Sequence, residues 1–371
     1  MINEARLIAD FLDLVRLSSP SFKEGAVMAV LAAKVRAAGF EPQFDEAGEQ
    51  LGGEVGNLFF TVPGNRPGAP PIFLNAHVDT VVPCTPMMVV EDGDLIRTDG
   101  SCILGGDDKT GVMTVLEAVR TVVEHDLPHG ELEVAFTIAE EIGLKGAFAF
   151  DTSRLKSKLA FVFDGGTPIG RVINAAPSQA NLTFHVKGRA AHAGVCPEQG
   201  VSAIVIAAQA IAAMQLLRID EETTANIGII AGGEATNIVT ERVRVVAEAR
   251  SRNRDKLRAQ LDHMRQCFMD AATATGGTVE VEEVHKYAGY VIREDAEILR
   301  VFHVACARLG IEPCVAASGG GADTNVWNER GLQSVVVNCG QQKVHTLDEC
   351  VDVRDLAQSA RLCVELIQSV A

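Results

Sequence analysis

The chain has 371 residues, more than a single hydrophobic core usually serves, so two domains are expected. A composition of 47% hydrophobic and 22% charged residues is that of a soluble globular protein. The net charge of −16 speaks against a nucleic-acid partner, because a phosphate backbone would be repelled, whereas hard divalent cations need carboxylates.

The N-terminal segment lacks a basic stretch followed by a bare apolar run, so no signal peptide is expected. It reads as an amphipathic helix with Leu7, Phe11, Leu14 and Val15 on one face. The longest apolar stretch, 201–214, is too short and too rich in alanine to cross a membrane. Nine cysteines without a CxxC pair offer neither a zinc-finger framework nor a redox motif, and their odd number suggests a reducing cytoplasm.

A second helix is expected over 24–38, stopped by Gly39, followed by strands at 57–62 and 71–77. Glycines 105 and 106 lead into a helix over 109–124, and buried strands follow at 132–139 and 159–163. Strand–helix alternation of this kind indicates an α/β layer structure with a mostly parallel sheet flanked by helices. The middle of the chain differs: strand 180–187, helix 201–217, strands 226–230 and 242–251, helix 255–274 and strand 278–284. That β-α-β-β-α-β order is ferredoxin-like, a compact α+β unit. The α/β pattern resumes with helix 296–309, strand 334–337 and helix 353–369. The expected organisation is one α/β domain, 1–177 plus 287–371, interrupted by an inserted α+β domain over 178–286.

Five places set metal-ligand residue types at strand ends or in tight loops. His77-Val78-Asp79 follows an apolar strand, and residues two apart on a strand point to the same side. An imidazole there could ligate a metal while a carboxylate orients its other nitrogen; a loop histidine beside a capping aspartate is the plainer explanation. Gly105-Gly106-Asp107-Asp108-Lys109 precedes a helix, where one acid would suffice as a cap and two call for another reason. The GxxxxGK[ST] spacing of a phosphate loop is absent. Glu140-Glu141 ends a buried strand, and adjacent carboxylates repel unless a cation or proton compensates. One of the pair could bind metal while the other acts as general base. Asp164 ends another apolar strand before two glycines, and His345 sits in the late loop GQQKVHT. Ligand sites of open α/β sheets lie at the carboxyl ends of the strands.

The ordered set HVDT, GGDDKTG, EEIG, the strand-end DGG and VHT resembles the M20 metallopeptidase family, nearest to its peptidase T-like aminopeptidases, over essentially the whole chain. The resemblance implies a zinc-exopeptidase-like catalytic domain, with the insert acting as a lid and dimerisation domain. It implies two divalent ions, zinc in the first place, although manganese or cobalt suits the same ligands. His77 and Asp164 would hold one ion, His345 and Glu141 the other, and Asp107 would bridge them. Asp107 is assigned over Asp108 because family loops often carry a single acid two residues before the lysine. Asp79 would orient His77, and Glu140 would be the general base on a metal-bridging water.

In the insert, the resemblance points to His192 as a stabiliser of the tetrahedral oxyanion, often reached across a homodimer. Asn237 and Arg250 would bind substrate, the latter through a carboxylate, and Gly320 in SGGGAD would present backbone amides to it. A turn histidine, a surface arginine and a flexible loop are the ordinary alternatives at these positions. The implied activity is release of the N-terminal residue from short peptides. An amidohydrolase acting on N-acyl amino acids, a carboxypeptidase and, more distantly, a non-catalytic binding protein on the same fold remain open at this point.

Overall fold

A computed structural model describes residues 2–84 and 88–371. The chain forms two compact units, Met1–Ala175 with Ile292–Ala317 and Ala322–Ala371, and Ala176–Val291 with Ser318–Gly321.

The first unit is built on a mixed sheet. Its strands run in the order Gln43–Phe44, Leu58–Val62, Leu132–Thr137, Ile72–His77, Leu159–Gly165, Gln333–Asn338, Arg171–Ala176. The four from Leu132–Thr137 to Gln333–Asn338 are mutually parallel, and the flanking pairs are antiparallel. These central strands are wholly or almost wholly buried, as near-continuous apolar runs covered on both faces require. On one side Leu74, Val134 and Phe161 join a core with the helices Glu4–Val15, Gly106–Glu124 and Val353–Val370. Phe73, Phe150 and Trp327 form a separate aromatic cluster, with ring centroids 5.3 to 6.2 Å apart. Because the four strands are parallel, their carboxyl ends share one edge, and His77, Glu140, Glu141, Asp164 and the loop after Asn338 all emerge there.

The helix Gly106–Glu124 lies very close to that sheet. A Cβ on Gly111 would come within 1.8 Å of the Phe163 carbonyl oxygen, so only glycine allows the helix start to sit against the strand bearing Asp164.

The second unit has strand order Leu217–Arg218, Thr223–Gly232, Arg242–Ser251, Ser178–Lys187, Thr278–Tyr287, all antiparallel. Alternate residues of Ser178–Lys187 are buried beneath the helices Ala203–Ala213 and Arg254–Thr275, where Phe184 stacks on Phe268 at 3.9 Å. The order is that of a ferredoxin-like unit.

Three sequence expectations change. The helix expected over 201–217 is Ala203–Ala213, and Leu217–Arg218 is a strand. Two side chains of the neighbouring helix capture the chain at Gln215: its amide donates to His263 Nε2, and its carbonyl accepts from Gln260 Nε2. The strands Arg171–Ala176 and Cys314–Ala317, parallel to each other, were not anticipated, being only six and four residues long. The boundary of the insert also differs, since Ser318–Gly321 belongs to the second unit. A Cβ on Gly321 would meet the Tyr287 ring at 2.4 Å, so this glycine permits packing within that unit. Among the described residues no helix is long and apolar enough to cross a membrane.

Candidate metal centre

His77 closes its strand with only 2% of its surface exposed. Its Nδ1 lies 3.0 Å from the backbone carbonyl of Asp79 and 3.4 Å from the Asp79 carboxylate. A proton on Nδ1 donated to that carbonyl leaves the Nε2 lone pair facing outward. Nε2 stands 3.2 Å from Asp107 Oδ1 and 3.7 Å from Asp164 Oδ1. The other oxygen of Asp107 is 3.4 Å from His345 Nε2, which lies 3.1 Å from Glu141 Oε2. Asp107 thus turns one oxygen to each histidine.

The neighbouring acid does something else. Asp108 is fully buried and accepts from the amides of His77 and Gly111 and from Gln341 Nε2, at 3.1, 3.0 and 2.7 Å. The Asp107 loop is held by a residue that the sequence reading missed. Glu349, buried, accepts from the amides of Gly105 and Asp107, both at 2.8 Å. It lies four residues beyond His345; the amide donors of a glycine-rich loop call for an acceptor, but nothing in the sequence singles out Glu349 as that acceptor.

Asp79 also reaches further than expected. Its two carboxylate oxygens accept from the amides of Glu140 at 2.9 Å and Glu141 at 3.2 Å, and from Ser21 Oγ at 2.6 Å. The residue that would orient His77 therefore fixes the turn bearing the two glutamates as well. Asp323, again unanticipated, is buried nearby on the first unit and accepts from Thr137 Oγ1 at 2.5 Å.

Electrostatics in the cluster run against free carboxylates. Burial pushes Glu140 well above the usual carboxylate range; His77 opposes this, and Asp164, Asp323 and Glu141 add to it. Burial likewise raises Asp164 to about 7 and Glu141 above its ordinary value. Asp107 goes the other way: burial would raise it, but His345 and His77 together hold it below its ordinary value. Hydrogen bonds with Asp107 and Glu141 raise His345 to about 10, whereas burial opposes the rise of His77, which Asp107, Asp164 and Asp79 carry through. Acids crowded at this density either hold protons or share a cation.

The donor set fits a pair of divalent ions. Ligand atoms of His77, Asp107 and Asp164 lie within 4.8 Å of one another, as do those of Asp107, Glu141 and His345. Each group offers one imidazole with carboxylates, a mixture suited to zinc, and Asp107 belongs to both.

The expected substrate-binding residues lie in the second unit and look different. His192 is exposed, and its Nδ1 accepts from the amides of Gly194 and Val195, each at 3.1 Å. The backbone of Asn237, also exposed, accepts from the Ala193 amide, so the two loops adjoin. Arg250 directs its guanidinium at Glu248 through two bonds of 3.0 and 3.1 Å. The Gly320 amide donates to Ser318 Oγ at 2.9 Å.

Residues 73–369 match peptidase family M20/M25/M40, and the chain belongs to that family. Within it the chain is peptidase T-like. It is 38% identical to the protein YqjE of Bacillus subtilis (strain 168) over the full length of both. Aminopeptidase PepT of Bacillus cereus ATCC 10987 is 39% identical with a TM-score of 0.91, over 100% of this chain and 99% of that one. A tripeptidase of Staphylococcus aureus subsp. aureus Mu50 is 35% identical with a TM-score of 0.95, at the same coverage.

Proposed function

We propose that this chain is a two-metal aminopeptidase that releases the N-terminal residue of short peptides. The observation that carries the reading is Asp107, whose two oxygens face His77 at 3.2 Å and His345 at 3.4 Å, joining two ligand groups into one centre. His77, Asp107 and Asp164 would hold one ion, and Asp107, Glu141 and His345 the other. When bound, the pair would polarise the scissile carbonyl and acidify a water for attack.

The remaining work falls to the protein's own groups. Glu140, 8% exposed and raised in pKa by burial, is suited to take a proton from the attacking water and return it to the leaving amine. Asp79 holds both glutamate amides, so base and ligand keep a fixed spacing. His192, Asn237, Arg250 and Gly320 are proposed to contact substrate; for Arg250 this requires the guanidinium to exchange Glu248 for a substrate carboxylate. The full-length likeness to an aminopeptidase PepT and a tripeptidase favours peptides over N-acyl amino acids.

The test is a panel of di- and tripeptides, their N-acetylated forms and N-acyl amino acids, assayed with metal-free and zinc-reconstituted protein. Turnover of free tripeptides that disappears on N-acetylation is the expected result. Hydrolysis of N-acyl amino acids with tripeptides untouched would overturn it in favour of a deacylase.

A further inference from the structure

The turn that carries Glu140 and Glu141 is held from below by two carboxylates, and only one has a place in the scheme above. Asp79 takes the amides of Glu140 and Glu141. The preceding amide, of Ala139, donates to Glu24 Oε1 at 3.1 Å. Glu24 lies far away in sequence, at the start of the helix Gly25–Ala37, and its surface is entirely buried. The same oxygen accepts from the Phe22 amide at 2.9 Å, which ties the carboxylate to its own loop.

Three features show that this contact bears on the glutamates. Ala139 has φ 50°, a left-handed conformation that a residue with a Cβ adopts at a cost, so its amide needs a fixed partner to hold the peptide there. The Glu24 loop is itself fastened to the Asp79 segment: Ser19 Oγ donates to the Val78 carbonyl at 2.9 Å, the Thr80 amide to the Ser19 carbonyl at 2.9 Å, and Ser21 Oγ to Asp79. Finally, Glu24 Oε2 has no hydrogen-bond partner among the described residues. A buried carboxyl with one oxygen unsatisfied lowers stability, which suits a group retained for what its other oxygen holds.

We propose that Glu24 is a positioning residue of the active centre. It fixes the Ala139 peptide, and together with Asp79 it gathers three consecutive amides so that the Glu140 and Glu141 side chains leave the turn in set directions. The inference rests on the roles of Glu140 and Glu141 proposed above. Glu24 touches neither substrate nor ions; it acts through the backbone.

The experiment compares wild type, Glu24→Ala, Glu24→Leu, Glu24→Gln and Glu140→Gln, each zinc-loaded, by metal content, kcat and KM on a tripeptide. Removing the acceptor is expected to lower kcat by about 10- to 100-fold while KM stays within about twofold, since a small misplacement of a catalytic group costs that much. Both truncations are expected to keep two ions per chain. Glu24→Gln retains an acceptor oxygen of the same reach and is expected to restore kcat to within about threefold. Leucine guards against unfolding caused by the cavity that alanine leaves. Folded truncations with wild-type kcat, or a glutamine variant as impaired as they are, would overturn the proposal. If neither truncation folds, the glutamine variant decides: restored kcat supports the acceptor role, and a loss of about tenfold or more contradicts it. Glu140→Gln is the control, because full activity there sinks the base assignment whatever Glu24 does.

Discussion

The metal cluster on the first unit and the candidate substrate residues on the second are built on opposite plans. In the cluster His77 and Glu140 are buried, Asp107, Glu141 and Asp164 half-buried and His345 exposed, and most of these groups are fixed by a further residue: His77 by the Asp79 carbonyl, Asp107 by Glu349, Glu140 and Glu141 by Asp79. On the second unit, His192 and Asn237 are exposed, and Arg250 is occupied by Glu248 on its own strand. The cluster is set before any ligand arrives, as reaction geometry demands. The second set has polar groups that must change partners to meet a substrate. Substitutions on the first unit should therefore act on metal content and kcat, and those on the second mainly on KM.

The largest expected effect is that of Asp107→Ala. Losing the carboxylate that belongs to both ligand groups should reduce metal content below two ions per chain and turnover by about 10³-fold or more. Metal analysis after dialysis, together with kcat, checks this; a variant holding two ions with normal kcat would erase the distinction between the regions.

Proton competition should be smaller but diagnostic. In the metal-free centre His345 is raised to about 10, Asp164 to about 7 and His77 well above its ordinary value, so below pH 10 the ion held by His345 must displace its proton, and below pH 7 the ion held by His77 and Asp164 must displace the Asp164 proton as well. Zinc affinity should then fall as pH falls, by about tenfold per unit for each proton displaced, and more steeply below 7 than above. Titration calorimetry at pH 6, 7 and 8 in buffers of different ionisation enthalpy measures both slope and protons released. A flat affinity would contradict the protonated cluster.

The smallest effect concerns Arg250→Ala. The pair with Glu248 is partly exposed and adds little to stability, so the melting temperature should hardly move. KM for a tripeptide should rise about tenfold with kcat within about twofold. A loss confined to kcat would move Arg250 from binding to the chemical step.

The same contrast governs what could be read from the sequence. The four parallel strands and the acids and histidines at their ends were legible, because long apolar runs specify buried strands and a metal needs particular residue types. Asp107 and Asp108, identical in type, part only in three dimensions, where one faces two histidines and the other accepts from Gln341 and two amides. Glu24 and Glu349 were missed for a different reason: their partners are backbone amides, which every residue but proline carries, so no side-chain pattern announces them. The early end of the helix Ala203–Ala213 escaped likewise, since it depends on His263 and Gln260 from a helix some fifty residues later.

Glu140 is proposed to move the proton while Glu141 holds metal, although the two are adjacent and share Asp79. Side-by-side Glu140→Gln and Glu141→Gln, with ions per chain and kcat measured on the same preparations, separate those roles. Glu140→Gln is expected to keep two ions and lose turnover by about 10²- to 10⁴-fold, while Glu141→Gln loses metal as well. Normal turnover in Glu140→Gln, or loss of an ion from it while Glu141→Gln keeps both, would contradict the assignment.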